Sequence, residues 1–558
     1  MIIHVNEIRR RKFLKATFVL SAIALMPRAL FAFSKDLVSI KKRLTRVRPG
    51  DPEWPSPEKW QRLKNSLQGN LIKVESPLNA CHINPAGNQC AEVFKELKNP
   101  YYIGDTPAFT QTTGWLNAWE SQPSVYAIEA HSTTDIVAGV NFARENNLRL
   151  VIKGGGHSYQ GNSSAPDSLL IWTRKMNKIS LHNDFMPKGN PLGMRPEHAV
   201  TIESGAIWFE AYQEVTTKNG RYVQGGGCAT VGIPGLIQGG GFGSFSKHYG
   251  LAAAALLEAE VVTANGDVIT VNEYNHPELF WALKGGGGGS FAIMAKLTLR
   301  TRELPETFGA VFGMIKASSD SAFRKLIETF IGHYHEKLFN HHWGEQVSFH
   351  ADNTMQINML SFGLTKEDSQ AAWQSFENWV LQDPAYSFQR PLTHIILPAK
   401  HLWDTDFLRA HASSLIAQDD RPNASPGNVF WLSNKEEAGQ FLWGYRSVWL
   451  SQTLLPEKKR DSLVGALFNA SRQWTVGVHF NKGLAGAPPK EIEAAKNSAI
   501  NPVVLDAFAL VIIAGQGNPA FKGIVGHEPN LEEAESGAKA INLAMNEILK
   551  IVDERGAY

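Results

Sequence analysis

Three glycine-dense stretches constrain this chain more than any other feature. They are KGGGHSYQGNSS at 153–164, QGGGCATVGIPGLIQGGGFGSFSKHYG at 224–250 and LKGGGGGSF at 283–291. Glycine loses more backbone freedom on folding than any other residue and brings no side chain to a core. Runs of it fit where a chain turns tightly or where something approaches its backbone closely. The first run follows the strand-like LRLVIK and ends at His157. The third lies between helix-like HPELFWAL and strand-like FAIMAKLTLR. That context favours a helix-to-strand turn over a flexible linker.

Around these turns the patterning alternates. TTDIVAGVNFAREN has a capping threonine and apolar residues at helical spacing. LRLVIK, SLLIW, AVTIESG and LLEAEVVTA read as strands. Asn265-Gly266, between AEVVTA and DVITV, reads as a hairpin turn. From about residue 306 the texture changes. QVSFHADN, MQINMLSFGL and QWTVGVHFNKGLAG look like alternating strands, separated by helix-like stretches such as SDSAFRKLIETFIGHYHEKLF. LDAFALVIIAG and NLEEAESGAKAINLAMNEILKIVDE close the chain as a strand and an amphipathic helix. No internal repeat is visible. The fold class is α+β in two domains, the second an antiparallel sheet with helices on one face.

The 558 residues suffice for two domains with large cores, and 43% are apolar. A net charge of +2 implies no polyanionic partner. The 15 Trp and 29 Phe suit a carbohydrate or aromatic-ligand pocket, but filling core is the favoured reading. The first 32 residues read as an export signal: Arg10-Arg11-Lys12, then an apolar run of about eleven residues, then Ala32. That run is too short to span a bilayer, which takes about 20 apolar residues. RRxFLK resembles the twin-arginine signal, so the twin-arginine export machinery is an expected partner and the periplasm or exterior of a bacterium the expected location. Leu30 at the −3 position leaves the cleavage point soft. Of three cysteines, Cys81 and Cys90 sit in the loop CHINPAGNQC, as a disulfide or as two unpaired thiols. Cys228 is left over, and an odd cysteine in an exported chain calls for a reason.

The glycine turns fail the standard phosphate-loop tests. Gly156 to Gly161 has the G-x-x-x-x-G spacing, but Asn162 stands where a triphosphate loop needs lysine. A dinucleotide fingerprint needs glycine where Tyr159 stands, and Gly239-x-Gly241-x-Gly243 does not supply it. What remains is a nest of backbone N–H groups, with the Ser158 and Ser163 hydroxyls nearby, suited to a pyrophosphate without a cationic side chain.

Residues from about 119 to 302 resemble the FAD-binding domain of the vanillyl-alcohol oxidase (PCMH-type) superfamily, and within it the berberine bridge enzyme-like oxidases. The matching pieces are GGGHSYQGNSS, GGGCATVGIPGLIQGGGFGSFSKHYGLA, EAEVVTANGDV and HPELFWALKGGGGGSF, continuing as HWGEQ at 342–346 and NVFW at 428–431. The resemblance implies FAD, bonded through its 8α-methyl group to His157 and, in doubly linked members, through C6 to Cys228. The implied cofactor-contacting positions are Gly154, Gly155, Gly156, Ser158, Gly161, Ser163, Gly232, Gly240, Gly241, Gly243, Gly250, Leu251 and Val262. The implied organisation is an N-terminal extension packing on the FAD domain (33–118), the FAD-binding domain (119–304), a substrate domain (305–500) and a C-terminal segment returning to the FAD domain (501–558).

The implied chemistry is hydride transfer from a substrate C–H to flavin N5, with the substrate a small alcohol, sugar or amine and O2 the acceptor. A dehydrogenase with another acceptor and a truncated, non-catalytic flavin binder are the alternatives. Strand alternation in TVGVHFNKG puts His479 and Asn481 on one face, and in EQVSFHAD puts Gln346, Ser348 and His350 on one face. These, with Tyr445, are the candidates for the base. Two departures from the family stand out. Ala254 and Ala255 occupy positions that relatives often fill with Asp-Asn, and the Tyr/Asn-rich tail that returns to the flavin in relatives is missing beyond Tyr558. No metal is expected.

Overall fold

The computed structural model describes residues 45–558. The export-signal expectation for residues 1–32 lies outside them. Three sheets carry the fold. The first has four strands in the order Asn70–Lys73, Tyr126–Glu129, Ser168–Trp172, Arg149–Lys153, the last three mutually parallel. The helix Thr133–Glu145 packs on it and starts one residue earlier than the expected threonine cap, behind Ser132. The Asp135 carboxylate accepts the amides of His131 and Ser132 there. The second sheet, antiparallel, runs Val268–Val271, Leu256–Val262, Ile293–Glu303, Glu197–Glu203, Ile179–Phe185. Its first pair is the hairpin at Asn265-Gly266, where Gly266 takes a left-handed φ of 85°.

The third sheet has nine strands and is antiparallel but for one pair. On its strands the apolar alternates Val347, Phe349, Met355, Ile357, Val476 and Val478 point into one core under the helices Asp320–His333, Glu457–Ser471 and Leu531–Leu549. The other face carries Gln346, paired across to Asn358 on one side and His479 on the other. Helices on one face and polar residues on the other is the expected layering.

Two expected boundaries give way to this sheet. The strand Ala507–Gly517 lies between Val476–His479 and Gln440–Ser451, at the sheet's centre. The helix Leu531–Leu549 covers the same sheet. Residues 501–558 therefore belong mainly to the second domain, because a fully apolar strand such as AFALVII needs neighbours on both edges and cover on both faces. The segment still touches the FAD side: Lys247 donates to the Phe508 carbonyl, Val504, Ala507, Leu510 and Ile512 cluster with Phe242 and Leu251, and the Tyr558 hydroxyl donates to the Gly239 carbonyl at 3.3 Å. At the other end, Trp60 stacks on Tyr126 in the first domain, yet Thr112–Trp115 and Trp119–Glu120 form the edge of the nine-stranded sheet.

Cys81 and Cys90 form a disulfide with Cα atoms 4.6 Å apart, both sulfurs buried under Leu78, Leu97 and Phe109. A loop this short contributes about 2 to 3 kcal/mol in the chain-entropy picture. Protein alkylated directly on cell lysis is expected to carry no label on either residue, and Cys81→Ser/Cys90→Ser to unfold at lower denaturant by about that free energy. Full labelling of both thiols would contradict the pairing.

Candidate functional site

The site grows from the contact between the first two glycine turns. Gly155 lies so close to the second turn that a Cβ there would stand 2.5 Å from the Gly232 nitrogen and 2.7 Å from the Thr230 carbonyl oxygen. Gly232 is equally tight against the Gly155 nitrogen at 2.6 Å. These two glycines are required by each other's backbone rather than by a ligand. The third turn joins through Gln238, whose carbonyl accepts from Gly287 and whose side-chain oxygen accepts from Gly289. Helix Pro277–Leu283 leads into that turn and strand Ile293–Glu303 out of it, the expected helix-to-strand connection.

Beneath the first turn sits a cation that sequence reasoning missed. Lys153 is buried and its Nζ donates to the carbonyls of Thr106, Pro107 and Phe109 at 2.8, 3.1 and 3.0 Å. Three acceptors take all three hydrogens of an ammonium group. Its stem packs under Gly156, whose Cβ would meet Lys153 Cδ at 3.3 Å. The Gly156 carbonyl in turn accepts from Gln111. Among the described residues, the amides of Gly155, Gly156, His157 and Ser158 donate to no protein acceptor. Four adjacent unspent donors suit an anionic group such as a pyrophosphate, while burial pushes the Lys153 amine beneath them down to about 7.

His157 reaches across to the turn that carries Cys228: its Nε2 lies 3.0 Å from the hydroxyl of Thr230, two residues beyond Cys228. Burial pushes the imidazole down to about 4 and the thiol up to about 12, the Glu437 carboxylate adding to the latter. Both are enclosed, yet both keep accessible area. They line an internal cleft.

The rest of the cleft is polar. Tyr159 and Tyr445 face each other with ring centroids 5.4 Å apart. Burial raises both phenols, and Glu437 acts on both. Burial raises the Glu437 and Glu345 carboxyls and lowers Lys482, which lies near both. Burial, then Lys482, holds His479 well below its ordinary value. Glu345 has a left-handed φ of 65°, which breaks strand alternation beside Gly344. Gly344 itself is pressed against the Ser244 carbonyl of the second glycine turn.

Of the expected catalytic residues, Tyr445 lines the cleft opposite Tyr159, and Gln346 and His479 are paired neighbours on the polar face. Asn481 does not share their face. The strand ends at His479, and Asn481 sits in a short helical turn with its side-chain amide donating to Gly243 O at 3.1 Å. It clamps the second turn, as does buried Lys247, which donates to the Ala485 and Phe508 carbonyls. Val262 packs in the core with Ile128 and Ile171, and Leu251 with Phe242 and Trp449. Gly161 takes a left-handed φ of 71° over the Trp119 indole, while Gly240, Gly241 and Gly250 take left-handed φ within the second loop. Gly243 packs against Gly225, and Gly154 against Ser204. The Tyr558 ring packs on Phe242 and Trp449. Glu345 stood inside the quoted HWGEQ, and its position between a glycine and a polar strand was the available signal.

Residues 125–272 match the family model described as an FAD binding domain. An FAD-linked oxidoreductase, easE, of Claviceps fusiformis is 38% identical over 280 residues, 46% of this chain and 48% of that protein. The VAO-type flavoprotein oxidase VAO615 of Thermothelomyces thermophilus is 33% identical over 295 residues, half of each chain. The chain thus spans about half the length of the curated relatives it matches. The crystal structure of VAO-type flavoprotein MtVAO615 from Myceliophthora thermophila superposes with a TM-score of 0.69 at 21% identity, covering 89% of this chain and 88% of that one. A glucooligosaccharide oxidase of Acremonium strictum, described with a 6-S-cysteinyl, 8α-N1-histidyl FAD, superposes with a TM-score of 0.53 at 18% identity, covering 79% and 82%.

The buried imidazoles make stability pH-dependent. Burial holds His157 and His248 at about 4, so the unfolded chain binds these protons near 6.5 and the folded chain only near 4. Below pH 6.5 the unfolded state therefore gains protons first. These imidazoles are expected to make the denaturation midpoint of the flavin-free protein fall progressively from about pH 6.5 toward pH 4. A flat profile across that range would contradict neutral, buried imidazoles.

Proposed function

This chain carries the FAD binding domain and the fold of the VAO-type and BBE-like flavoproteins, and on that premise we propose that it is an FAD-linked oxidoreductase of a small alcohol or sugar, with His157 and Cys228 both bonded to the flavin and O2 the electron acceptor. The observation that carries this reading is the contact of His157 with Thr230, two residues beyond Cys228, beside a row of unspent amides. Two side chains on touching turns can grip one ring system. The amides of 155–158, on a turn pinned from beneath by Lys153, would hold the pyrophosphate. The bound flavin supplies a two-electron acceptor for hydride. The names of structural neighbours, a xylooligosaccharide oxidase and a carbohydrate oxidase among them, support a sugar substrate and oxygen.

The chain's own part is to orient the substrate and take a proton from its O–H as the C–H bond breaks. Glu437 is the group best suited to that. Crowding by its surroundings raises its carboxyl although the residue keeps exposed surface for a substrate to reach, Lys482 opposes that rise, and it acts electrostatically on Cys228, Tyr159 and Tyr445 together. Tyr159 and Tyr445, held as neutral phenols, donate hydrogen bonds to substrate oxygens. The Cys81–Cys90 disulfide supports export to an oxidising compartment, which the basic and apolar start predicts, and the alkylation experiment above checks it.

Acid-precipitated wild type is expected to stay yellow, and Cys228→Ala to keep flavin through His157 alone. Release of all flavin from wild type would remove the covalent reading. Glu437→Gln is expected to retain its flavin but to be bleached by a working substrate about 10² to 10⁴ times more slowly. An unchanged bleaching rate would exclude Glu437 as the base. Peroxide yield in air, set against dye reduction, separates oxidase from dehydrogenase. A flavin that no sugar or alcohol bleaches would point to a non-catalytic flavin binder.

A further inference from the structure

We infer that Asn434 is a positioning residue for Cys228: its side chain holds the turn on which the thiol stands, so that attachment of the flavin at Cys228, and not at His157, depends on it. This rests on the reading above that His157 and Cys228 both attach the cofactor. Asn434 lies in the short helix Leu432–Glu437 and is the one buried residue of that helix, while Leu432 stays exposed. A polar side chain that alone turns inward from an exposed helix is not there to fill a core. Its Oδ1 accepts from the Ala229 amide at 3.2 Å, on the residue next to Cys228.

The two sides of Cys228 are held differently. Before it stands Gly227, where a Cβ would meet only the Ser244 hydroxyl, at 3.8 Å. Among the described residues, the main-chain groups of Gly227 and Cys228 make no hydrogen bond to protein. After it, the Ala229 amide donates to Asn434, and the Ala229 and Val231 carbonyls accept from the amides of Phe209 and Trp208 at 3.0 and 3.1 Å. The Ala229–Asn434 bond is thus the first anchor beyond the thiol, and a free glycine on the other side leaves the thiol's placement to it. The first turn does not depend on this side chain. The Gly439 amide donates to the Gln111 carbonyl at 2.9 Å, the Gln111 amide donates to the Gly156 carbonyl at 3.0 Å, and Lys153 braces the turn from beneath. None of these bonds uses the Asn434 side chain, so its replacement leaves them in place.

The step balances with dioxygen as oxidant. At Cys228 an S–C bond replaces the C6–H bond of the flavin. The thiol hydrogen and the ring hydrogen leave as protons. The electron pair passes to O2, which takes up two protons and departs as hydrogen peroxide. With the ring placed by the amides of 155–158 and by His157, what sets the rate of this second bond is how steadily the Cys228 turn presents its sulfur.

The test compares wild type, Asn434→Leu, Asn434→Ala and Asn434→Asp, each expressed as the full chain without flavin and reconstituted with FAD in air. Mass analysis of the His157 and Cys228 peptides follows the two attachments separately, and alkylation after denaturation counts the Cys228 thiol left unbonded. Attachment at His157 reports that a variant folds, and Asn434→Ala is read where Asn434→Leu does not. The two variants without an acceptor are expected to bond flavin at Cys228 roughly five- to tenfold more slowly, the size of one lost buried hydrogen bond, with the rate at His157 unchanged. Asn434→Asp, which keeps an oxygen in the same place, restores the wild-type rate at Cys228. A wild-type rate at Cys228 in a folded variant without the acceptor, equal slowing at His157 and Cys228, or Asn434→Asp as slow as Asn434→Ala overturns the role of Asn434. Wild type that never bonds Cys228 overturns the parent reading and this one together, so the two failures are distinguishable.

Discussion

The architecture depends on a backbone-to-backbone contact. Gly155 and Gly232 meet with no room for a side chain on either, and this closure brings the loop after Arg149–Lys153 against the loop before Ile233–Gln238. Everything functional is arranged around that seam. His157 leaves it from one turn and Cys228 from the other, and Thr230 of the second turn touches His157. A Cβ at either glycine would force the turns apart, and in a packed interior such strain is relieved only by displacing backbone. Glycine's entropic cost is accepted here because approach of two main chains leaves no alternative.

The second domain acts as a clamp on that seam. Lys247 and Asn481 tie the second turn to it, Gly344 presses on Ser244, and Tyr558 reaches Gly239 from the far end of the chain. The clamp also builds the cleft's electrostatics. Glu345 and Lys482 come from the nine-stranded sheet and its following turn, and Glu437 from the short helix Leu432–Glu437. Desolvation raises the two carboxyls and lowers the amine, and their mutual attraction opposes both shifts. Lys153 and Lys247 differ. Each is buried against carbonyl oxygens, so each serves as a structural pin for a loop.

Much of the first domain was legible because its signals are local. The Asn265-Gly266 hairpin, the helix-to-strand turn at 284–291 and the strands flanking the first turn are each fixed by residues within a few positions. The polar face of Gln346 and His479 followed from a period of two, and that period failed at Asn481 because the strand stops two residues earlier. Glu345 escaped the same reasoning, since a left-handed backbone at a non-glycine residue reverses alternation and leaves no compositional mark. Glu437 and Lys482 lie in separate loops, and nothing local announces that they share a cleft.

The sequence alone determined the places where the chain turns and the apolar stripes that seek a core, because glycine runs and periodic hydrophobicity act through neighbouring bonds. Only the tertiary structure decided which glycines are pressed against another loop, that the closing strand Ala507–Gly517 enters the middle of a sheet, and that Thr230 stands beside His157. Those facts depend on residues tens to hundreds of positions apart. Their proximity is created by burial of the whole core, which no local window of sequence contains.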